Sequence, residues 1–154
     1  MSETPARGGP APDFTLRDQH GQDVTLSTAV KDGPVLVVFY PFAFSGVCTG
    51  ELCALRDELA SFTDAGVQVL AVSCDPTYAL KAYASAQGYE FGLLSDFWPH
   101  GQVAQAYGVF NEGPGMANRG TFLVDSSGVL RWSVVNGPGE ARDLNDYRQA
   151  VAAL

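Results

Sequence analysis

No run of apolar residues in the chain approaches the ~20 needed to cross a bilayer as a helix. The first ten residues, Met-Ser-Glu-Thr-Pro-Ala-Arg-Gly-Gly-Pro, lack the apolar stretch of a secretory signal and read as a loose leader. A cytoplasmic location is the expectation. Basic residues are scarce, nine against seventeen acidic ones, for a net charge of −8. That balance argues against nucleic acid or an anionic membrane as partner, and solubility alone accounts for it. Histidine occurs twice, as His20 and His100, and cysteine three times, as Cys48, Cys53 and Cys74. This set does not complete a recognisable metal site, and no cofactor motif accompanies it. There is no C-x-x-C pair and no internal repeat. Three cysteines in a cytoplasmic chain point to redox or catalytic use rather than a disulfide framework.

What the chain has is one domain's worth of core: 154 residues, 46% of them apolar. Its organising stretch begins with Pro34-Val-Leu-Val-Val-Phe-Tyr40, a β-branched and aromatic run that reads as a buried strand over 35–40. Pro41, Phe42 and Phe44 follow as a stiff apolar wall, then Ser45, and then a helix over about 46–64. Cys48, Leu52, Leu55, Leu59 and Phe62 fall within about 40° of one line at 100° per residue. Cys48 therefore stands in a first helical turn, where unpaired N–H groups and the helix dipole favour an anion such as a thiolate. The same position also suits a small buried core residue. Ser45 reads equally as an N-cap or as a hydroxyl one turn ahead of the thiol.

Upstream, 13–16 and 23–26 flank a turn-rich stretch and form a small hairpin. Downstream, 67–74 is a buried strand, Asp75-Pro76-Thr77 starts and caps a helix over about 78–87 that Gly88 closes, and 93–96 is a short strand. Residues 103–107 give a turn or two of helix, and 111–120 a long Gly/Pro-rich loop. Strands 121–125 and 129–135 form a second hairpin, and Asp143 or Asn145 caps a helix running to about 154. Strand, helix, strand at this spacing makes a βαβ unit with parallel pairing.

The pattern Pro41-x-x-x-Ser45-x-x-Cys48, at a strand-to-helix junction, resembles the active-site signature of the peroxiredoxins. Phe39–Cys48, Leu94–Gly101, Ala106–Asn111 and Asn118–Phe122 are similar to the alkyl hydroperoxide reductase E type within that family. Cys53 departs from one-cysteine members, and its C-x4-C spacing resembles the bacterioferritin comigratory protein branch instead. The resemblance implies an α/β, thioredoxin-like fold, a central mixed sheet flanked by helices with an N-terminal β-hairpin. The element order is consistent with this. It also implies a single domain over 1–154 and a thiol peroxidase that needs no cofactor. The substrates would be hydrogen peroxide and organic hydroperoxides. The reductant would be an external thiol: thioredoxin, mycoredoxin or a low-molecular-weight thiol.

The resemblance implies roles for six residues: Cys48 as nucleophile, Pro41 and Ser45 framing it, Arg119 reaching its thiolate, Glu51 orienting that arginine, and Cys53 as resolving thiol. Each has a plainer alternative. Arg119 at a strand end suits a surface charge, Glu51 a first-turn acid favoured by the dipole, and Cys53 an incidental thiol. In an ideal helix the Cα atoms of Cys48 and Cys53 lie roughly 8–9 Å apart and about 140° around the axis, beyond the ~7 Å a disulfide allows. Resolution by Cys53 thus requires the first turns to unwind, which Gly50 eases. Cys74 reads as a buried structural thiol. Phe97, Trp98 and Phe110 suit a substrate mouth, a homodimer contact or plain packing. Two rival classes remain, a thioredoxin-like disulfide reductase and a non-catalytic binding module. The missing C-x-x-C counts against the first.

Overall fold

Alternation along one strand sets the architecture. In the computed structural model, which describes residues 3–137 and 143–154 without the side chains of Val47 and Cys48, strand β3 (Val35–Phe39) is buried at every position. Leu36 and Val38 face one apolar cluster, and Val35, Val37 and Phe39 the other. A strand covered on both faces has no polar side to show, which is why its sequence is a continuous apolar run.

The chain order is β1 (Thr15–Arg17), β2 (Asp23–Thr25), α1 (Leu26–Ala29), a 3-10 turn (Val30–Asp32), β3, α2 (Gly46–Asp64), β4 (Gln68–Ser73), α3 (Thr77–Gln87), β5 (Gly92–Ser95), α4 (Gln102–Ala106), β6 (Phe110–Asn111), β7 (Met116–Ala117), β8 (Arg119–Val124), β9 (Leu130–Asn136) and α5 (Leu144–Ala152). The main sheet runs β2-β1-β5-β4-β3-β8-β9. β3 pairs parallel with β4, β4 parallel with β5, and β8 antiparallel with both β3 and β9. This is the thioredoxin-like mixed sheet. One face carries Leu52, Leu55 and Phe62 of α2, Leu80 and Tyr83 of α3, and Tyr147 of α5. The other carries Leu26 of α1, Val30 of the 3-10 turn, and Val103 and Ala104 of α4.

Helix α2 occupies the range that its apolar stripe predicts. Gly88, with φ +69°, closes α3 in the left-handed region that favours glycine. Asp143 caps α5, accepting from the Asn145 N–H at 2.9 Å.

Three expectations need correction. The first is the leader, whose described residues are fastened along the sheet edge. Gly8 donates to the Leu130 carbonyl at 2.7 Å, Leu130 donates to Gly9 at 2.9 Å, and Arg7 donates to the Ser133 carbonyl at 2.6 Å. An edge strand has unpaired backbone groups, and this Gly/Pro-rich segment satisfies some of them. The second is the long loop over 111–120, which contains the β6–β7 ribbon and the start of β8. The third is Asp75, which reads as a cap for α3. Pro76 holds the cap position instead, without a side-chain bond.

Candidate active site

Strand β3 delivers the chain to the start of α2. Tyr40 continues its line, donating to the Val72 carbonyl at 3.0 Å, and Pro41 is buried behind it. The turn between strand and helix is held from three sides. The Ala43 N–H donates to Asp75 Oδ2 at 2.8 Å, and Ser73 Oγ donates to the same oxygen at 2.7 Å. Ser45 Oγ donates to the Phe42 carbonyl at 3.0 Å. The Phe44 ring stands 4.8 Å from that of Tyr83, centroid to centroid. These contacts hold Phe44 at φ +67°, a region that a bulky L-residue seldom occupies.

Helix α2 then begins with Ser45 at the cap position, but the hydroxyl makes no capping bond. Its proton points to Phe42, and its lone pairs remain able to accept. The Thr49 N–H donates to the Ser45 carbonyl at 2.9 Å and opens the helical ladder. The ladder offers no acceptor to the N–H groups of Gly46, Val47 and Cys48 ahead of it. The backbone of Cys48 thus lies where the helix concentrates positive potential. Its side chain lies outside the described residues.

Arg119 arrives from the neighbouring strand. Val38 pairs with Thr121, and two further steps along this antiparallel pair bring Arg119 level with Tyr40, beside the start of α2. Arg119 and Thr121 point to the same face of β8. That is the α2–α5 face, since Thr121 Oγ1 lies 2.5 Å from the Tyr147 hydroxyl. Arg119 is 4% exposed, and its Nη1 donates to Glu51 Oε1 in a buried ion pair. The reading of Arg119 as a surface charge does not hold, and neither does that of Glu51 as a first-turn acid, since Glu51 lies past the first turn of α2 and is buried in this pair. Burying two opposite charges is costly, and their meeting offsets part of that cost. The guanidinium has five donors, and the fork keeps its orientation while one arm is held.

The two described thiols differ. Cys74 is 2% exposed, and burial, with Asp96 and Asp75 nearby, pushes its pKa up to about 12, which disfavours its thiolate. Cys53 is partly buried, its Sγ 3.4 Å from the Tyr89 hydroxyl and 3.5 Å from Gln87 Oε1. Gly50, between Cys48 and Cys53, is exposed, with open space where a Cβ would go. Trp98 and Phe97 are exposed, at 81% and 46%, and Phe97 meets the His100 ring edge-on. No described helix is long and apolar enough to cross a membrane.

Asp75, Tyr83, Tyr89 and Gln87 were not singled out from sequence as site residues. Asp75 carried a signal, an acid at the end of the strand next to β3, but its Asp-Pro-Thr context matches a helix start equally well. The tyrosines look like ordinary core positions until their hydroxyl partners are known.

Comparison with known proteins is consistent with this fold. A model of the AhpC/TSA family matches residues 8–133. Alkyl hydroperoxide reductase E of Mycobacterium tuberculosis is 53% identical over 147 residues, spanning 96% of this chain and 96% of that protein. A chloroplastic peroxiredoxin Q of Sedum lineare is 37% identical over 126 residues, spanning 81% of this chain and 66% of that protein. Among solved structures, peroxidoxin BcpB of Mycobacterium tuberculosis superposes with a TM-score of 0.86 at 29% identity, covering 96% of this chain and 97% of the other.

Proposed function

The chain belongs to the AhpC/TSA family of peroxiredoxins and is a thiol-dependent peroxidase; on that premise we propose that Cys48 is its peroxide-reactive thiol. The observation that carries this reading is the junction itself. One helical turn holding a cysteine begins where β3 ends, level with an arginine that a glutamate three residues further along the helix keeps in place.

In the reaction, the Cys48 thiolate attacks one oxygen of ROOH. The S–O bond forms as the O–O bond breaks, and the departing oxygen leaves as ROH after taking a proton. The product is a cysteine sulfenic acid. A thiol of pKa ~8.5 is about 3% ionised at neutral pH, so complete ionisation accelerates attack by only ~30-fold, or ~2 kcal/mol. The rest must come from donors that meet charge as it moves onto the leaving oxygen. Arg119 and the first-turn N–H groups suit that task. Ser45, whose hydroxyl already donates to Phe42, suits the complementary one of accepting the peroxide's hydrogen. Pro41 shields the site from bulk water.

An external thiol closes the cycle. We read Cys53 as the resolving thiol that first converts the sulfenic acid into a Cys48–Cys53 disulfide. The second reading is a one-cysteine enzyme reduced directly, and an ordered helix across both residues before oxidation fits either reading. Thioredoxin, mycoredoxin and a low-molecular-weight thiol are the candidate reductants. A cytoplasmic location, a single domain and a homodimer meeting near Phe97 and Trp98 complete the proposal, the exposure of both rings supporting the last. Cys48→Ser should lose peroxide turnover while keeping the wild-type circular dichroism spectrum. Turnover retained in that variant contradicts the assignment.

A further inference from the structure

A polar cluster interrupts the apolar packing between α2 and the end of α3. The Tyr89 hydroxyl, 3.4 Å from Cys53 Sγ, also donates to the Thr49 carbonyl at 3.3 Å. The Tyr83 hydroxyl donates to Thr49 Oγ1 at 3.0 Å. Both rings are buried, Tyr89 5% and Tyr83 0% exposed, and they pack edge-to-face at 5.2 Å. Thr49 follows Cys48 directly, and its carbonyl is the one that helical geometry pairs with the Cys53 N–H. Two tyrosines from outside the helix therefore grip the residue between the two proposed redox thiols.

A phenol has one hydrogen to give. While Tyr89 gives it to Thr49, the Cys53 thiol must itself donate, its one proton going to Gln87 Oε1 or to Tyr89 Oη. Burial first, and then the hydrogen bonds with Cys53 and Tyr83, raise the Tyr89 pKa well above its ordinary value, so the hydroxyl stays a neutral donor. We propose that Tyr83 and Tyr89 are positioning residues that tether the first turns of α2 and so set the rate at which the Cys48 sulfenic acid and Cys53 close to a disulfide.

This rests on the reading of Cys53 as the resolving thiol. Closure is balanced without an added oxidant or reductant. Cys53 loses its proton, its sulfur attacks the Cys48 sulfur, the S–O bond breaks, and the departing hydroxide takes up a proton as water. For the sulfurs to meet, the Cα atoms must come from roughly 8–9 Å to within ~7 Å. Thr49 must then leave its helical position and both tyrosine hydroxyls. A stronger tether means a longer-lived sulfenic acid, exposed to a second peroxide or to an external thiol.

The test is stopped-flow and quenched-flow oxidation of wild type, Tyr83→Phe, Tyr89→Phe and Thr49→Val, with products mapped by mass spectrometry. The Phe variants keep the rings, and Thr49→Val keeps the side-chain shape. The peroxide-dependent phase should stay within about twofold of wild type. The peroxide-independent closure should accelerate about 2- to 10-fold for each lost hydroxyl, with less sulfinic acid at high peroxide. Tyr83→Phe combined with Thr49→Val should close no faster than either alone, a pattern that general loosening does not produce. Amide exchange over 49–53 in the reduced protein should quicken by a similar factor. Closure at one rate in all the proteins, or slowed in the Phe variants, overturns the tether. A wild type that forms no Cys48–Cys53 disulfide overturns the Cys53 reading and the tether with it, an outcome distinct from a disulfide that forms at an unchanged rate.

Discussion

Removing Glu51 should destabilise the fold far more than removing an ordinary helix-surface acid. Its side chain is 8% exposed and that of Arg119 is 5% exposed, so neither charge has water to fall back on. Glu51→Ala leaves a buried guanidinium without its carboxylate, at a cost of about 3–5 kcal/mol. In a chain of this size each kcal/mol lowers Tm by about 2–4 °C, so the variant should melt roughly 6–20 °C below wild type. Arg119→Met in the same background removes the stranded charge and should recover much of the loss. Urea unfolding of wild type, both single variants and the double variant gives the coupling energy directly. Kinetics should not recover in parallel, because Arg119→Met also removes the donors proposed to meet the peroxide. A coupling below about 0.5 kcal/mol, the scatter of independent sites, would refute the buried-pair argument. A double variant with wild-type peroxide kinetics would refute the role of Arg119 as a donor to the peroxide.

Two more expectations concern the residues just past the end of β4. Cys74 has its folded-state pKa raised by burial from 9.0 to about 12, so the fold holds its proton more tightly than the unfolded chain does. Its contribution to stability is therefore full below about pH 9 and lost as pH rises toward 12, at no more than about 1.4 kcal/mol per pH unit. Cys74→Ala should show a shallower alkaline loss of stability than wild type, and identical slopes would contradict the assignment. Asp75→Asn weakens the grip on Ala43 and Ser73. It should destabilise by about 1.5–3 kcal/mol and slow Cys48 oxidation, and unchanged stopped-flow kinetics would show that the turn does not depend on Asp75.

Periodicity made the frame of this protein legible. The unbroken apolar run of β3 and the stripe through Leu52, Leu55 and Phe62 mark a strand and a helix buried against each other, and Cys48 falls at their junction by position alone. Apart from the family resemblance, Arg119 was visible only as a residue at a strand's start. Its meeting with Glu51 depends on the β3–β8 register, which no local pattern encodes. The hydroxyl partners of Thr49 were less accessible still. Tyr83 and Tyr89 lie 34 and 40 residues away in sequence, and apolar patterning treats a tyrosine as a ring whatever its oxygen meets. The described leader residues and the β6–β7 ribbon were missed because Gly and Pro signal a break in regular structure, whereas short edge pairings tolerate both.

The identity of the reacting thiol is tested most directly by treating the reduced protein with one equivalent of peroxide and mapping every cysteine by mass spectrometry. The account predicts oxidation at Cys48, as a trapped sulfenic acid or a disulfide to Cys53, with Cys74 untouched and peroxide left unconsumed by Cys48→Ser. Oxidation that begins at Cys53 or Cys74, with Cys48→Ser consuming peroxide at the wild-type rate, would contradict it.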